Sequence, residues 1–175
     1  MAHAVRILGP ADAAAFRAIR LEALRLHPEA FGASLEEEAA RDSAAFAARL
    51  APAPPGAVFG AFGGDAGAAL VGTAGLHVDR TANSRHKGLV WGVHVRPEAR
   101  GRGLGAALLA AVVSHARAAG LERLHLAVGT GNVPARALYD AAGFLPWGVE
   151  RRALRLGPGR YVDEEHRVLD LGAGG

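Results

Sequence analysis

The sequence predicts an α/β fold, an α+β mixed sheet with helices on both faces, in the order β-α-α-β-β-β-α-β-α-β-β. Three observations point there. Short alternating apolar runs early in the chain read as hairpins. A strand–helix–strand crossover occupies the middle. The helical stretch in that crossover is apolar almost all round, so it belongs inside. The 175 residues are about one domain's worth, so residues 1–175 are expected to form one domain with a full core.

The elements follow in order. His3 to Leu8 alternates Ala4, Arg6 and Leu8 against Val5 and Ile7, a strand pattern. Pro10-Ala11-Asp12 opens a helix through Leu26, with Phe16, Ile19, Ala23 and Leu26 on one stripe. His27-Pro28 ends it, because the residue before proline avoids the α region. Ser34-Leu35-Glu36-Glu37 fits a capping box, and a second helix is expected from it through Leu50. The proline-rich stretch from Ala51 to Gly56 breaks that helix. Ala57 to Phe62 and Ala69 to Val78 read as a hairpin around the glycine-rich turn Gly63-Gly64-Asp65-Ala66-Gly67. Leu89 to Val95 is a strand closed by Arg96-Pro97. Gly103 to Ala119 is the apolar helix, and Gly120 stops it. Leu124, Leu126 and Val128 alternate along a strand from Arg123. A short helix from Asn132 to Ala142 ends at Gly143. Two closing strands, Phe144 to Leu156 and Arg160 to Leu171, flank Gly157-Pro158-Gly159, and the tail from Gly172 is expected to fray.

Composition excludes several function classes. The absence of Cys removes a disulfide framework, a thiol nucleophile and any Cys-ligated metal. Net charge is only +3, Lys87 is the sole lysine, and the arginines are scattered, so there is no nucleic-acid footprint. Met1 to Pro10 lacks the basic flank and apolar stretch of a signal peptide, and no window is apolar enough to span a bilayer. A cytoplasmic protein with no membrane partner is therefore the expectation, by elimination. The eight histidines (His3, His27, His77, His86, His94, His115, His125 and His166) show no metal-ligand spacing, so no catalytic metal is expected.

The segment from Val93 to Ala106 carries the most information. A strand ends, three glycines stand at alternate positions (Gly101, Gly103 and Gly105), and a buried helix begins. The first turn of a helix leaves N–H groups unpaired, and the helix dipole adds partial positive charge. With glycines admitting close approach and Arg100 and Arg102 adding donors, the turn suits a phosphate or pyrophosphate. A tight strand-to-helix connection without any ligand fits the same glycines. Gly101-x-Gly103-x-x-Ala106 also satisfies a dinucleotide fingerprint, but Ala127-Val128-Gly129-Thr130 stands where its ribose-binding acid belongs. No Gly-Lys-Ser/Thr follows, which excludes a P-loop.

Arg100-x-x-Gly103-x-Gly105, approached through Val95-Arg96-Pro97, resembles the acetyl-CoA pyrophosphate signature of the GNAT superfamily of N-acetyltransferases. Asn132-x-x-Ala135-x-x-Leu138-Tyr139-x-x-x-Gly143-Phe144 resembles the second signature of that family, at the expected distance downstream. The resemblance is sharpest from Leu89 to Phe144. It implies a GNAT-type fold and direct transfer of an acetyl group from acetyl-CoA to a primary amine. Backbone N–H groups of Arg100, Gly101, Arg102, Gly103, Leu104, Gly105 and Ala106 would bind the pyrophosphate. Val93 to Val95 would pair with the pantetheine arm, and Asn132 would touch the cofactor. A homodimer is the family's common assembly.

Tyr139 is the candidate general acid, since a phenol keeps its proton at neutral pH and can give it to a departing thiolate. Packing on a helical apolar stripe explains the same residue, and capping the helix explains Asn132 equally well. The Glu that some family members carry early in the strand before the turn is absent, with Leu89, Val90 and Trp91 in its place. His94 in that strand and His77 in its neighbour are candidate bases because imidazole titrates near neutrality. Proton removal through ordered water is an alternative.

For the acceptor, Glu36, Glu37 and Glu38 are candidates for attracting a cationic amine, or they complement the positive end of their helix. Tyr161, Asp163 and Glu164 are candidates from the closing strands. Gly159-Arg160-Tyr161-Val162-Asp163-Glu164 is similar to the closing hairpin of some small-molecule acetyltransferases, which favours a small-molecule acceptor over a protein N-terminus or lysine. A non-catalytic acyl-CoA-binding module on the same fold fits the two motifs as well.

Overall fold

The computed structural model describes residues 4–63 and 69–172. Its strands are β1 (Ala4–Ile7), β2 (Ala57–Gly63), β3 (Ala69–Val78), β4 (Lys87–Val95), β5 (Arg123–Gly129), β6 (Leu145–Gly157) and β7 (Arg160–Asp170). Its helices are α1 (Ala13–Leu26), α2 (Leu35–Ala39), α3 (Ser43–Arg49), α4 (Leu104–Ala118) and α5 (Val133–Ala141). The strands form one mixed sheet in the order β1-β2-β3-β4-β5-β7-β6, in which β4 and β5 are the parallel pair. No helix among the described residues is long and apolar enough to cross a membrane. The start of the expected first strand at His3, the turn residues from Gly64 to Gly67 and the tail from 173 lie outside the described residues.

One expected helix is two. Ser34 and Glu37 do form the capping box, with Ser34 N donating to Glu37 Oε2 at 2.9 Å and Glu37 N to Ser34 Oγ at 3.1 Å. The helix they open stops after Ala39, however, because Asp42 starts another. Asp42 takes an extended backbone, and its carboxylate accepts from Ala45 N at 2.8 Å. An aspartate that can cap competes with continuing the helix through itself.

Both sheet faces are covered. On one side α4 lays Leu104, Leu108, Leu109 and Val112 over Phe59, Ala74, Leu124 and Leu126. On the other, Phe16 and Ile19 of α1 meet Phe46 of α3 over Val58 and Leu70. The neighbours Val58 and Phe59 thus enter opposite cores, as strand alternation requires.

Two irregularities in β4 matter for the site. Its pairing with β5 covers only Lys87↔Arg123, Gly88↔Leu124 and Leu89↔His125, after which the strands part. Its pairing with β3 jumps from Gly75↔Trp91 to Thr73↔His94, so Gly92 and Val93 oppose the single residue Ala74, a β-bulge. Gly92 sits at φ +63°, a backbone region that side chains resist, and its carbonyl accepts from Thr73 Oγ1 at 3.1 Å.

Candidate active site

Where β4 and β5 part, a cavity of about 980 Å³ opens. Its walls come from Val93 to Val95 of β4, the turn into α4, the start of α5, the 27–31 segment after α1, and Tyr161 to Asp163 of β7. Beyond Leu89 the edge of β4 that faces β5 has no strand partner among the described residues, so its backbone groups, apart from the Val95 carbonyl bonded by Arg100, can meet an extended ligand.

The glycine turn leaves the start of α4 without a side-chain cap. Gly103 is the N-cap of α4 at φ +75° and offers no side chain to its first N–H groups. A Cβ at Gly101 or Gly103 would stand in open space, so the backbone there is bare toward solvent. Gly105 has a different reason: a Cβ would lie 3.0 Å from Leu138, and its absence lets α5 close against α4. Arg100 lines the cavity, donating Nε–H to Val95 O at 2.9 Å and lying 3.0 Å from His27 Nε2. Arg102 is exposed and outside the cavity lining, and Leu104 and Ala106 belong to it.

Asn132 and Tyr139 both reach the cavity from α5. Asn132 caps the helix, its side-chain oxygen accepting from Ala135 N at 3.2 Å. Tyr139 is buried and edge-on to Phe144, with ring centres 6.0 Å apart. Burial pushes its phenol up to about 12, against the pull of Arg167. At neutral pH the phenol is fully protonated.

His94 lines the same cavity and is 7% exposed. Its Nε2 has no hydrogen-bond partner among the described residues, and its ring lies 6.2 Å from that of His27. Burial, followed by the charges of Arg100, His27, Arg96 and Arg20, lowers its pKa to about 4. His77 is exposed and lines a different cavity, so the two candidate bases are not brought together.

The low value at His94 has a stability consequence. Between its folded value of about 4 and the ordinary 6.5, the unfolded chain binds a proton that the folded chain refuses. Stability contributed by the neutral ring is therefore complete above 6.5 and is lost as pH falls toward 4. The loss attributable to His94 approaches about 3 kcal/mol. Urea unfolding near neutrality and in weak acid should show a smaller acid loss for His94→Gln than for the parent. Parallel pH profiles would contradict the assignment.

The acceptor candidates are divided. Tyr161 and Asp163 line the cavity, whereas Glu36, Glu37, Glu38 and Glu164 do not. Glu37 is engaged in its cap. Asp163 is held below the usual carboxylate range by the backbone N–H of Arg152 and by Arg151, which bond it at 2.7 Å each. Glu164 is half-buried, and burial raises its pKa. Sequence reading overlooked His27, Phe31, Thr130 and Val162, which line the cavity. His27 and Phe31 carry no motif; they are brought in by the turn after α1.

The family model described as "Acetyltransferase (GNAT) family" matches residues 19–144, across both motifs and the parting strands. The chain belongs to the GNAT acetyltransferase family. The GNAT fold recurs in solved structures over nearly the whole chain. An acetyltransferase of the GNAT family from Streptococcus pneumoniae aligns with TM-score 0.83 and 25% identity, covering 97% of this chain and 99% of that one. A GNAT superfamily phosphinothricin acetyltransferase from Sinorhizobium meliloti, solved with AcCoA, gives 0.81 and 25%, covering 98% and 90%. Among curated relatives, a mycothiol acetyltransferase from Thermobispora bispora is 44% identical over 63 residues, which are 36% of this chain and 21% of the relative. One from Beutenbergia cavernae is 39% identical over 85 residues, 49% of this chain and 27% of the relative. The matches therefore span about a quarter of those relatives' length.

Proposed function

We propose that the chain is an N-acetyltransferase that moves an acetyl group from acetyl-CoA directly to a primary amine of a small molecule. One observation carries the reading. A single cavity brings together the uncapped glycine start of α4, the free edge of β4 and a buried, protonated Tyr139. Structures of GNAT neighbours with acetyl-CoA support the donor. The partly matching mycothiol acetyltransferases and the phosphinothricin acetyltransferase support a small acceptor.

The residues fit the donor. First-turn amides of α4, with Arg100, would hold a pyrophosphate where the helix dipole favours negative charge. The free edge of β4 would bond a linear amide-bearing arm as a sheet bonds a strand. Bound there, acetyl-CoA supplies an activated acetyl thioester. The chain's own residues then place and protonate. Backbone N–H groups near the Gly92 bulge would face the carbonyl oxygen as charge develops on it. Tyr139 would give its phenolic proton to the departing sulfur. His94 at about 4 is neutral at pH 7 and too weak a base to keep an alkylammonium proton, so it would act by accepting a hydrogen bond. The acceptor must arrive as the neutral amine, and the proton its nitrogen sheds on becoming an amide would leave through water to solvent, from which Tyr139 would regain the proton it gave to sulfur.

That weak basicity also favours a second reading, an acyl-CoA-binding module without turnover. Thermal melting tests the part common to both. A ligand at about 100 times its Kd adds roughly 2.7 kcal/mol, so acetyl-CoA and CoA should each raise Tm by about 5–10 °C and NAD should not. No shift with either thioester or thiol, in a protein that melts cooperatively, would remove the donor site. Release of free thiol in an amine panel then separates enzyme from module. Sedimentation of the loaded protein tests the homodimer that family membership suggests.

A further inference from the structure

A second cavity, of about 500 Å³, lies beside β4 at Trp91 and is walled by α1, α2 and α3. Its charge is lopsided. Glu38 of α2 is buried and accepts two hydrogen bonds from Arg49, at 2.7 and 2.8 Å. Arg41 and Arg20 stand farther off, their Nε atoms at 3.5 and 3.8 Å from the same carboxylate. Three guanidinium groups thus face one carboxylate among the groups lining this cavity. An ion cluster that served packing alone would match its charges, because each buried cation must be compensated. Here one carboxylate is saturated by Arg49, and Arg20 keeps a buried Nε with no hydrogen-bond partner among the described residues.

Arg20 also links this cavity to the first. Its guanidinium lies 4.7 Å from the ring centre of Phe31, which lines the acetyl-donor cavity. Its Nη1 is 3.8 Å from where a Cβ on Gly92 would stand. Gly92 is the bulge residue next to Val93, where transfer is placed. An anion held by Arg20 is therefore a short molecule's length from the amine that attacks.

We propose that this cavity holds the carboxylate of the acceptor, a small amino acid whose amine points to the Gly92 bulge. Arg20 is its principal donor, Arg41 adds charge from the rim, and Trp91 offers an apolar wall to the side chain. The planar fork of a guanidinium matches a carboxylate with paired hydrogen bonds. The inference rests on the acetyltransferase reading and deepens it. It also inverts the expectation that Glu36, Glu37 and Glu38 draw in a cation, since the buried one of the three, Glu38, is paired with arginines instead.

Calorimetric titration of the CoA-loaded protein with pooled standard L-amino acids, and then with each pool's carboxamides, tests it. The acids should bind roughly a hundredfold more tightly than the amides. Arg20→Gln should erase that preference while leaving CoA binding unchanged. Arg49 keeps Glu38 paired in that variant, and Arg41→Gln, at a half-exposed site, provides a second variant with a smaller loss. Equal binding of acid and amide, or no binding of any acid at millimolar concentration, overturns the proposal. Unchanged preference in Arg20→Gln overturns it too. Arg20-dependent binding without thiol release from acetyl-CoA upholds the carboxylate site and removes the transfer reading instead.

Discussion

Tyr139→Phe should lower turnover by about 10²–10⁴-fold while changing acetyl-CoA affinity little. The substitution deletes one oxygen and its proton. It keeps the ring that packs edge-on to Phe144, so the fold should be unaffected. With the phenol near 12, nothing else about its protonation changes across the neutral range. The proton needed by the departing thiolate would then come from water, which is neither placed nor held in the transition state. Steady-state kinetics with the best amine of the panel, together with titration of acetyl-CoA, separates the two quantities. Equal turnover in both proteins would relieve Tyr139 of the proton-donor role and leave it as packing.

Arg167→Met should lower stability by about 3–5 kcal/mol and Tm by roughly 10 °C. Arg167 of β7 is fully buried. It bonds Glu165 and Asp140 at 2.6 Å each and reaches the carbonyl of Phe144 at 3.4 Å. Methionine fills similar space but leaves the buried Glu165 with only Arg136, at 3.3 Å. Because Asp140 follows Tyr139 in α5, the same change loosens the helix that aims the phenol. Thermal unfolding should therefore shift in the apo protein, and turnover should fall by more than unfolding explains at the assay temperature. A variant with parental Tm would show that the network holds nothing the methionine stem does not.

Most elements and their order along the chain were legible because their signals are local, whereas the strand order within the sheet came only from the structure. Leu124, Leu126 and Val128 alternate in sequence and are buried in β5. The Arg100 to Ala106 turn announces itself by glycine spacing, and Gly103 proves to be an N-cap with a left-handed backbone. The break at Asp42 was missed because an aspartate inside an alanine-rich run reads either as a cap or as a solvated helix position. Only the backbone geometry decides between them. The site beyond its two motifs was less readable. His27 and Phe31 reach the cleft through the path of the chain after α1, and no residue spacing encodes that path. Glu38 differs from Glu36 and Glu37 only in which side of a short helix it occupies, so the triplet could not reveal which acid would be buried.

The parting of β4 from β5 is an open sheet edge inside the molecule. Open edges usually invite strands of other chains and so promote aggregation. This one lines a cavity whose walls also include the start of α5 and the segment around Phe31, which sets it apart from an edge on the outer rim of a sheet. The interrupted sheet is therefore a strand vacancy turned inward, and whatever fills it must bring its own amides to the hydrogen bonds that β5 leaves unmade.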